Sequence, residues 1–164
     1  MIELLVLDVD GTLTDGKIIY TSDGVELKNF DVKDGLAIAS WIKKFNKKVA
    51  IITGRKSVLV ENRAKELGIT HLYQGIDNKD EVLQDILNKE NLTWEETAGI
   101  GDDLNDFKML KKVGLSFSVA DAVSEIKELS DVICTKNGGD GAVREMIEYI
   151  LLKDKKKKLI DLWA

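Results

Sequence analysis

Short apolar runs alternate along the chain with longer stretches in which apolar residues recur every three or four positions. The short runs predict buried strands at about residues 3–9, 48–52, 71–73, 97–100, 114–118 and 131–134. The longer stretches predict helices at about residues 35–45, 56–67, 79–90, 105–112, 122–129 and 140–153, the second of them closed by Gly68. Strands that alternate with helices predict a parallel sheet with helices on both faces and right-handed crossovers.

One segment departs from this alternation directly after the first strand. Residues 17–20 and 25–30 alternate between apolar and polar around a turn that contains Gly24, which predicts a β-hairpin. The hairpin, at about residues 17–30, is expected to project from the body of the protein. The predicted fold class is therefore α/β, a three-layer doubly wound (Rossmann-like) parallel sheet with an inserted hairpin, in a single domain spanning residues 1–164.

Composition narrows the range of partners. Hydrophobic residues make up 44% of the chain and charged residues 32%, as in globular proteins, and the net charge of -5 argues against nucleic acid as a partner. No signal segment or long apolar span is present, so neither export nor contact with a membrane is expected. The single cysteine, Cys134, is expected to be a buried apolar residue and fits a reducing compartment, which favours the cytoplasm.

Polar side chains gather where the predicted strands end. Asp8 and Asp10 leave the first strand, Thr53 ends the second, Lys79 begins the helix after the third, and Asp102 follows the fourth. Doubly wound sheets bind ligands outside the carboxyl ends of their strands. An acid such as Asp8, placed after four apolar residues, is costly without a partner. Because two acids so close together would repel each other without a cation between them, this edge predicts a catalytic site.

These residue types fit the transfer of a phosphoryl group. Asp8 can attack phosphorus and form an aspartyl-phosphate, while Asp10 can protonate the leaving group and then activate water. Asp102 can join Asp8 in holding a hard divalent cation, most simply Mg²⁺, through oxygen ligands. Lys79 supplies a fixed positive charge beside the phosphate.

Further contacts to phosphoryl oxygens are predicted from hydroxyl and amide groups. Thr53 and the amide of Gly54 can donate hydrogen bonds to phosphate, although the pair can equally mark the start of the next helix. Thr12, whose hydroxyl can hold the turn after the first strand, is added to the substrate-binding residues. Lys79 can also be read as one of many surface lysines, and Asp106 either orients a neighbour or favours a helix N-terminus. The joint pattern, more than any single residue, supports the prediction.

Four motifs occur in a recognisable order: Asp-Val-Asp-Gly-Thr at 8–12, Ile-Thr-Gly at 52–54, Lys79, and Gly-Asp-Asp-Leu-Asn-Asp at 101–106. In this order they resemble the haloacid dehalogenase-like superfamily. The resemblance implies that Asp8 is the nucleophile, Asp10 the acid and base, and Thr53 and Lys79 the phosphate binders. It further implies that Mg²⁺ is held by Asp8, the backbone carbonyl of Asp10, and Asp102.

A narrower resemblance covers nearly the whole chain and rests on residues 14–16 with the hairpin, 30–35, 52–57, 71–75 and 138–145. These segments resemble the family of 3-deoxy-D-manno-octulosonate 8-phosphate phosphatases. The resemblance implies a Mg²⁺-dependent phosphomonoesterase of lipopolysaccharide biosynthesis that has no cap domain and acts on a small sugar-acid phosphate. It also implies a homotetramer in which the hairpins meet centrally and a neighbouring subunit partly covers each site, and exposed hairpin edges do need a partner. The apolar residues after the lysine run 155–158 are expected to fold over a neighbouring active site.

Two alternative functions stay open. Phosphatases of nonulosonate 9-phosphates, such as sialic-acid precursors, resemble this chain but tend to carry Glu at the position of Arg55, so Arg55 favours the octulosonate. Either Arg55 or Arg63 can pair with the substrate carboxylate in bidentate fashion, although Arg63 can also be a solvated arginine on a helix face. Phospho-accepting receiver domains use similar residues as a switch that must keep its phosphate. Asp10 argues against the switch, because it lies where an enzyme needs an acid to shed the phosphate.

Overall fold

The computed structural model describes residues 1–154 and 158–163, and this part of the chain contains eight strands and six α-helices. The strands are β1 (Leu4–Leu7), β2 (Ile19–Tyr20), β3 (Glu26–Leu27), β4 (Lys48–Thr53), β5 (His71–Gln74), β6 (Thr97–Gly101), β7 (Leu115–Ser118) and β8 (Val132–Ile133). The helices are α1 (Val32–Phe45), α2 (Val58–Leu67), α3 (Lys79–Glu90), α4 (Phe107–Leu110), α5 (Ser124–Leu129) and α6 (Ala142–Lys153). Short 3-10 turns lie at Trp94–Glu96, Leu104–Asp106 and Leu159–Leu162.

Six strands form one parallel sheet in the order β5-β4-β1-β6-β7-β8, which confirms the predicted doubly wound α/β fold. The central strand is β1, in which Leu7 is paired with Ile51 of β4 and with Ile100 of β6. All four residues of β1 are buried. The chain leaves β1 toward β4 and later crosses to the other side of β1 at β6. The strand order therefore reverses beside β1, and such reversal points are where these sheets bind ligands.

The helices form two layers. α1 packs against α2 and α6, whereas α4 packs against α3 and α5. This division follows from right-handed crossovers, which put helices leading to opposite edges of the sheet on opposite faces. In the first layer Trp41 is fully buried, and its Nε1 donates to the carbonyl of Lys48 at 3.1 Å, which ties α1 to β4. Within the described ranges no cap domain is inserted between these elements, as predicted.

Capping residues determine where the helices nearest the sheet edge begin and end. The side chain of Asp31 accepts the N–H groups of Lys33 and Asp34 at 2.7 and 3.0 Å, so α1 begins three residues earlier than predicted. Ser57 caps α2 in the same way. Gly68 ends α2 with a φ of 79°, which confirms the predicted C-cap.

The hairpin is present but is shorter than the sequence predicts. β2 and β3 contain two residues each and pair antiparallel as a separate small sheet. The sequence pattern extends the second strand to residue 30. Instead the pairing ends at Leu27, because Lys28 directs its side chain toward Asp10 and Phe30 packs against the core.

Two other segments bear on the predictions. The helix expected at 105–112 is a 3-10 turn followed by the short α4, since Asp103 and Asp106 cap that turn reciprocally. Lysines 155–157 lie outside the described residues, and beyond them the buried Leu159 packs with its 3-10 turn against α1 of the same chain. Coverage of a neighbouring active site by this tail stays a prediction. Among the described helices, none is both long and apolar enough to cross a membrane.

Candidate active site

The carboxyl ends of the three central strands bring the predicted catalytic side chains together. Asp8 directly follows β1, Thr53 is the last residue of β4, and Asp102 directly follows β6. Because β1 is paired in parallel with both β4 and β6, these positions meet at one edge of the sheet. Lys79, the first residue of α3, extends its side chain to the same edge.

Lys79 is buried between two carboxylates. Its Nζ donates to Oδ1 of Asp8 and to Oδ1 of Asp106, both at 2.6 Å, and only 1% of its side chain is exposed. The other oxygen of Asp106 accepts the N–H groups of Asp102 and Asp103 at 3.0 and 3.4 Å. Asp106 therefore fixes both the ammonium group and the loop after β6. The structure shows both roles that the sequence left open for Asp106, because its side chain orients Lys79 and also caps the 3-10 turn at 104–106.

Burial and mutual charge shift the pKa values of the groups around Lys79. Burial, followed by the charge of Asp106, raises the pKa of Asp8 well above its usual value, although Lys79 acts in the opposite direction. Burial, again followed by Asp106, raises the pKa of Asp102 to about 6. Burial lowers the pKa of Lys79, but the charges of Asp8 and Asp106 outweigh it and leave that pKa raised. The single positive charge of Lys79 thus does not balance the carboxylates of Asp8, Asp102 and Asp106, and a further cation would offset the remaining negative charge.

The donor set fits a hard divalent cation. Asp8, Asp102 and Asp106 each place a carboxylate oxygen within 4.8 Å of the others. Oxygen ligands of this kind suit Mg²⁺. Both oxygens of Asp106 are already engaged by Lys79 and by backbone N–H groups, so Asp8 and Asp102 are the carboxylates best placed to bind the ion. The backbone carbonyl of Asp10 as a third ligand stays a prediction.

Glycines let the loops beside this cluster pack closely. A Cβ at Gly11, where φ is +94°, would lie 2.5 Å from Cγ of Asp102. A Cβ at Gly138 would lie 2.5 Å from the carbonyl carbon of Gly11, and the N–H of Gly139 donates to the carbonyl of Thr12 at 3.0 Å. The segment 138–139 therefore clamps the loop that follows β1, and only glycine allows so close an approach.

Asp10, the predicted acid and base, is held by a residue of the hairpin. Nζ of Lys28 donates to Oδ1 of Asp10 and lies 3.4 Å from Oε1 of Glu26. The side chain of Lys28 is only 2% exposed, whereas that of Asp10 is 20% exposed. Solvent, and hence a substrate, can reach Asp10 while the ammonium group that holds it is covered.

The two arginines predicted to bind a substrate carboxylate lie in different surroundings. Arg55 is 42% exposed, and its Nη2 donates to Oε1 of Glu26 at 2.8 Å and to the hydroxyl of Tyr20 at 3.3 Å. Since a guanidinium has five N–H donors, Arg55 retains donors for a ligand. Arg63 is only 18% exposed, and its Nη2 donates to the carbonyl of Asp31 at 3.3 Å. The alternative of a freely solvated Arg63 is therefore wrong, because this side chain supports the start of α1.

The remaining predicted substrate-binding residues, Thr12, Thr53 and Gly54, also differ in their burial and contacts. Thr12 is fully buried, and its hydroxyl donates to Oδ1 of Asp102 at 3.4 Å, so in this arrangement it orients a predicted metal ligand and does not face a substrate. Thr53 is buried at the end of β4, whereas Gly54 is exposed. The alternative that these two begin the next helix is wrong, because α2 begins at Val58. Their binding of phosphate stays a prediction.

Sequence reasoning missed Lys28 and assigned no structural role to the glycines at 138–139. A signal for Lys28 was present, because side chains two apart along a strand share a face and Glu26 and Lys28 have opposite charges. From the sequence alone, the glycines at 138–139 indicate only that close packing or an unusual φ occurs there. Their contact with the loop after β1 joins residues more than 120 positions apart, which no local pattern reveals.

Comparison with known proteins identifies the family of the chain. Residues 72–147 match the family described as haloacid dehalogenase-like hydrolase. The chain is 48% identical over 151 residues to the 3-deoxy-D-manno-octulosonate 8-phosphate phosphatase of Escherichia coli K12. This alignment covers 92% of this chain and 80% of that protein.

Two solved structures extend the comparison. The corresponding phosphatase of Moraxella catarrhalis, in complex with a magnesium ion, a phosphate ion and a KDO molecule, is 46% identical with a TM-score of 0.89 over 92% of this chain and 86% of that one. The cobalt-bound form of the Haemophilus influenzae phosphatase is 37% identical with a TM-score of 0.89, over 94% of this chain and 90% of that one. The chain therefore belongs to the haloacid dehalogenase-like hydrolases, in the family of the 3-deoxy-D-manno-octulosonate 8-phosphate phosphatases.

Proposed function

We propose that this protein hydrolyses 3-deoxy-D-manno-octulosonate 8-phosphate to the free sugar acid and inorganic phosphate, with Mg²⁺ as cofactor. The observation that carries the proposal is the cluster in which Lys79 bridges Asp8 and Asp106 beside Asp102, since it combines a nucleophile, a fixed cation and carboxylate ligands. The names of the E. coli and M. catarrhalis relatives support this substrate. Membership in a phosphatase family also favours an enzyme over a phospho-accepting switch.

In the first step Asp8 attacks the phosphorus atom of the ester. Lys79 holds Oδ1 of Asp8, so the second oxygen of this carboxylate is available to form the new bond to phosphorus. As the bond from phosphorus to the sugar oxygen breaks, the protonated carboxyl of Asp10 donates its proton to that oxygen. The free sugar acid leaves, and the phosphoryl group remains on Asp8 as an aspartyl-phosphate.

In the second step Asp10, now a carboxylate, removes a proton from a water molecule that attacks the phosphoryl group. The bond from phosphorus to Asp8 breaks, inorganic phosphate leaves, and both carboxyl groups return to their initial states. When bound by Asp8 and Asp102, Mg²⁺ supplies positive charge that offsets the charge of the phosphoryl oxygens. Lys79 adds its own charge from a buried and therefore rigid position.

Arg55 is the proposed partner of the substrate carboxylate. Glu26 and Tyr20 hold one end of its guanidinium group, which reduces the conformational freedom lost when a ligand binds. The remaining N–H donors can meet a carboxylate in bidentate fashion. Thr53 and the amide of Gly54 are proposed to bind phosphoryl oxygens.

We also propose a homotetramer whose subunits meet at their hairpins and which works in the cytoplasm. The hairpin exposes four large side chains, Ile18, Tyr20, Val25 and Leu27, and a two-stranded hairpin is marginal without a partner. The cytoplasmic assignment is supported by Cys134, the single cysteine of the sequence, which is buried and unpaired.

Release of phosphate from a panel of esters tests the proposed substrate. The panel contains 3-deoxy-D-manno-octulosonate 8-phosphate, a nonulosonate 9-phosphate, a hexose phosphate and phosphoglycolate, each with Mg²⁺. We expect kcat/KM to be highest for the octulosonate and to fall in Arg55→Ala, but not in the control Lys65→Ala on the exposed face of α2. Preference for the nine-carbon acid would contradict the argument from Arg55 and leave the chemistry intact.

A further inference from the structure

A buried salt bridge connects the hairpin to the acid and base of the proposed reaction. Lys28 lies just beyond β3, and its ammonium group contacts Oδ1 of Asp10 and, at 3.4 Å, Oε1 of Glu26. Glu26 is held in turn by Nη2 of Arg55 at 2.8 Å. These ion pairs form a chain of alternating charge from the catalytic loop to the predicted binder of the substrate carboxylate, in the order Asp10, Lys28, Glu26 and Arg55.

The burial of Lys28 requires an explanation. A lysine side chain that is only 2% exposed costs stability unless its charge is paired, and an exposed position is the ordinary one for lysine. Lys17, in the same hairpin, shows this ordinary state, since its side chain is 77% exposed and lies 3.8 Å from Asp15. The pairing with Asp10 and Glu26 is what makes burial of Lys28 tolerable.

The geometry points to Lys28 as a positioning residue for Asp10, an inference that rests on the proposed role of Asp10 as acid and base. Because Lys28 occupies Oδ1, the carboxyl of Asp10 cannot rotate freely about its last bond, which leaves Oδ2 as the oxygen to carry the proton to the substrate. A proton donor acts efficiently only within hydrogen-bond reach of the leaving oxygen. Fixing the rotation of Asp10 therefore speeds the step in which the ester bond breaks.

The rate lost on removing such a positioning residue depends on how much the leaving group needs a proton. p-Nitrophenolate is a stable anion and leaves without help, whereas phenolate leaves more readily when it is protonated. Both phenyl esters lack a carboxylate and a sugar, so Arg55 and the specificity of the site do not enter the comparison. The quantity to measure is kcat/KM, which reports only the steps through breakage of the ester bond.

The experiment compares wild type, Lys28→Met and the control Lys17→Met on phenyl phosphate and p-nitrophenyl phosphate. In Lys28→Met we expect kcat/KM for phenyl phosphate to fall by about tenfold or more, and that for p-nitrophenyl phosphate by less than about threefold. Lys17→Met should match wild type on both esters. Equal losses on the two esters in Lys28→Met would overturn the inference, because a misfolded hairpin or a lost phosphate contact affects both alike.

A double mutant gives a second test that uses the proposed substrate. If Lys28 acts through Asp10, Lys28→Met should cause little further loss of kcat/KM for 3-deoxy-D-manno-octulosonate 8-phosphate once Asp10 has been replaced in Asp10→Asn. Losses that multiply fully would overturn the inference. Failure of the proposed function looks different, because wild type itself would then release no phosphate from this ester.

Discussion

Replacing Gly11 by alanine should lower activity, because the added Cβ would displace the carboxylate of Asp102. A Cβ at this position would lie 2.5 Å from Cγ and 3.0 Å from Oδ1 of Asp102, whereas ordinary contacts begin at 3.4 Å. The carboxylate of Asp102 must therefore retreat by about 1 Å, and displacements of this size cost about 100-fold in rate. We expect Gly11→Ala to lower kcat/KM at least that much and to weaken the binding of Mg²⁺.

The control separates this clash from backbone strain. Gly11 and Gly68 have φ values of +94° and +79°, so alanine is strained at both, by about 1–2 kcal/mol. A Cβ at Gly68, however, meets no atom within 4 Å. Gly68→Ala should therefore lose stability with little change in kcat/KM, and Gly11→Ala should lose both.

Phosphate release at saturating and at limiting Mg²⁺, together with urea unfolding, provides the assay for both variants. If Gly11→Ala keeps wild-type kcat/KM and wild-type dependence on Mg²⁺, the position of Asp102 is not set by the absence of a side chain at residue 11. That result would refute the reasoning. Equal loss of activity in Gly68→Ala would refute it as well, since strain alone would then explain the effect.

The charges of the structure lead to three further predictions. In metal-free buffer Lys79→Met should lower the free energy of unfolding by about 3–5 kcal/mol, because it leaves buried carboxylates without their cation, while Lys89→Met on the exposed face of α3 should change it by less than about 0.5 kcal/mol in urea titrations. Mg²⁺ at about 100 times its Kd should raise the free energy of unfolding of wild type by about 2.7 kcal/mol, and thermal unfolding of Asp102→Asn should lack this gain. Burial raises the pKa of Asp34 from 3.8 in the unfolded chain to about 6, so the folded chain binds this proton more tightly and stability should fall as the pH rises through this window. Asp34→Asn should remove that fall, about 3 kcal/mol in total, from the curve of stability against pH, and an unchanged curve would contradict the assignment.

The fold could be predicted from the sequence because its elements have strong local signals. β1 is a run of four apolar residues, and Gly68 ends α2 in the left-handed conformation, which glycine adopts more readily than other residues do. The order of strands in the sheet has no such local signal, since it depends on which crossover passes over which face. The length of the hairpin was predicted wrongly for a related reason, because contacts of Lys28 and Phe30 with the body compete with strand pairing.

The candidate site was partly predictable for a geometric reason. Residues at the ends of neighbouring parallel strands must meet, so the positions of Asp8, Thr53 and Asp102 in the chain are enough to group them. Side chains that arrive from elsewhere could not be grouped in this way. Lys28 comes from the hairpin, and the clamp at 138–139 precedes α6, so each reaches the site through a long-range contact that the local sequence does not encode.

The central claim is that Asp8 is the nucleophile, and the most direct test is to find the phosphoryl group on it. Wild-type enzyme is mixed with substrate labelled in the phosphoryl group, quenched in acid within the first turnover, digested and analysed by mass spectrometry. We expect the label on the peptide that contains Asp8 and its absence in Asp8→Asn, which should retain the wild-type fold by circular dichroism. Label on another residue, or phosphate release by Asp8→Asn at the wild-type rate, would contradict the account.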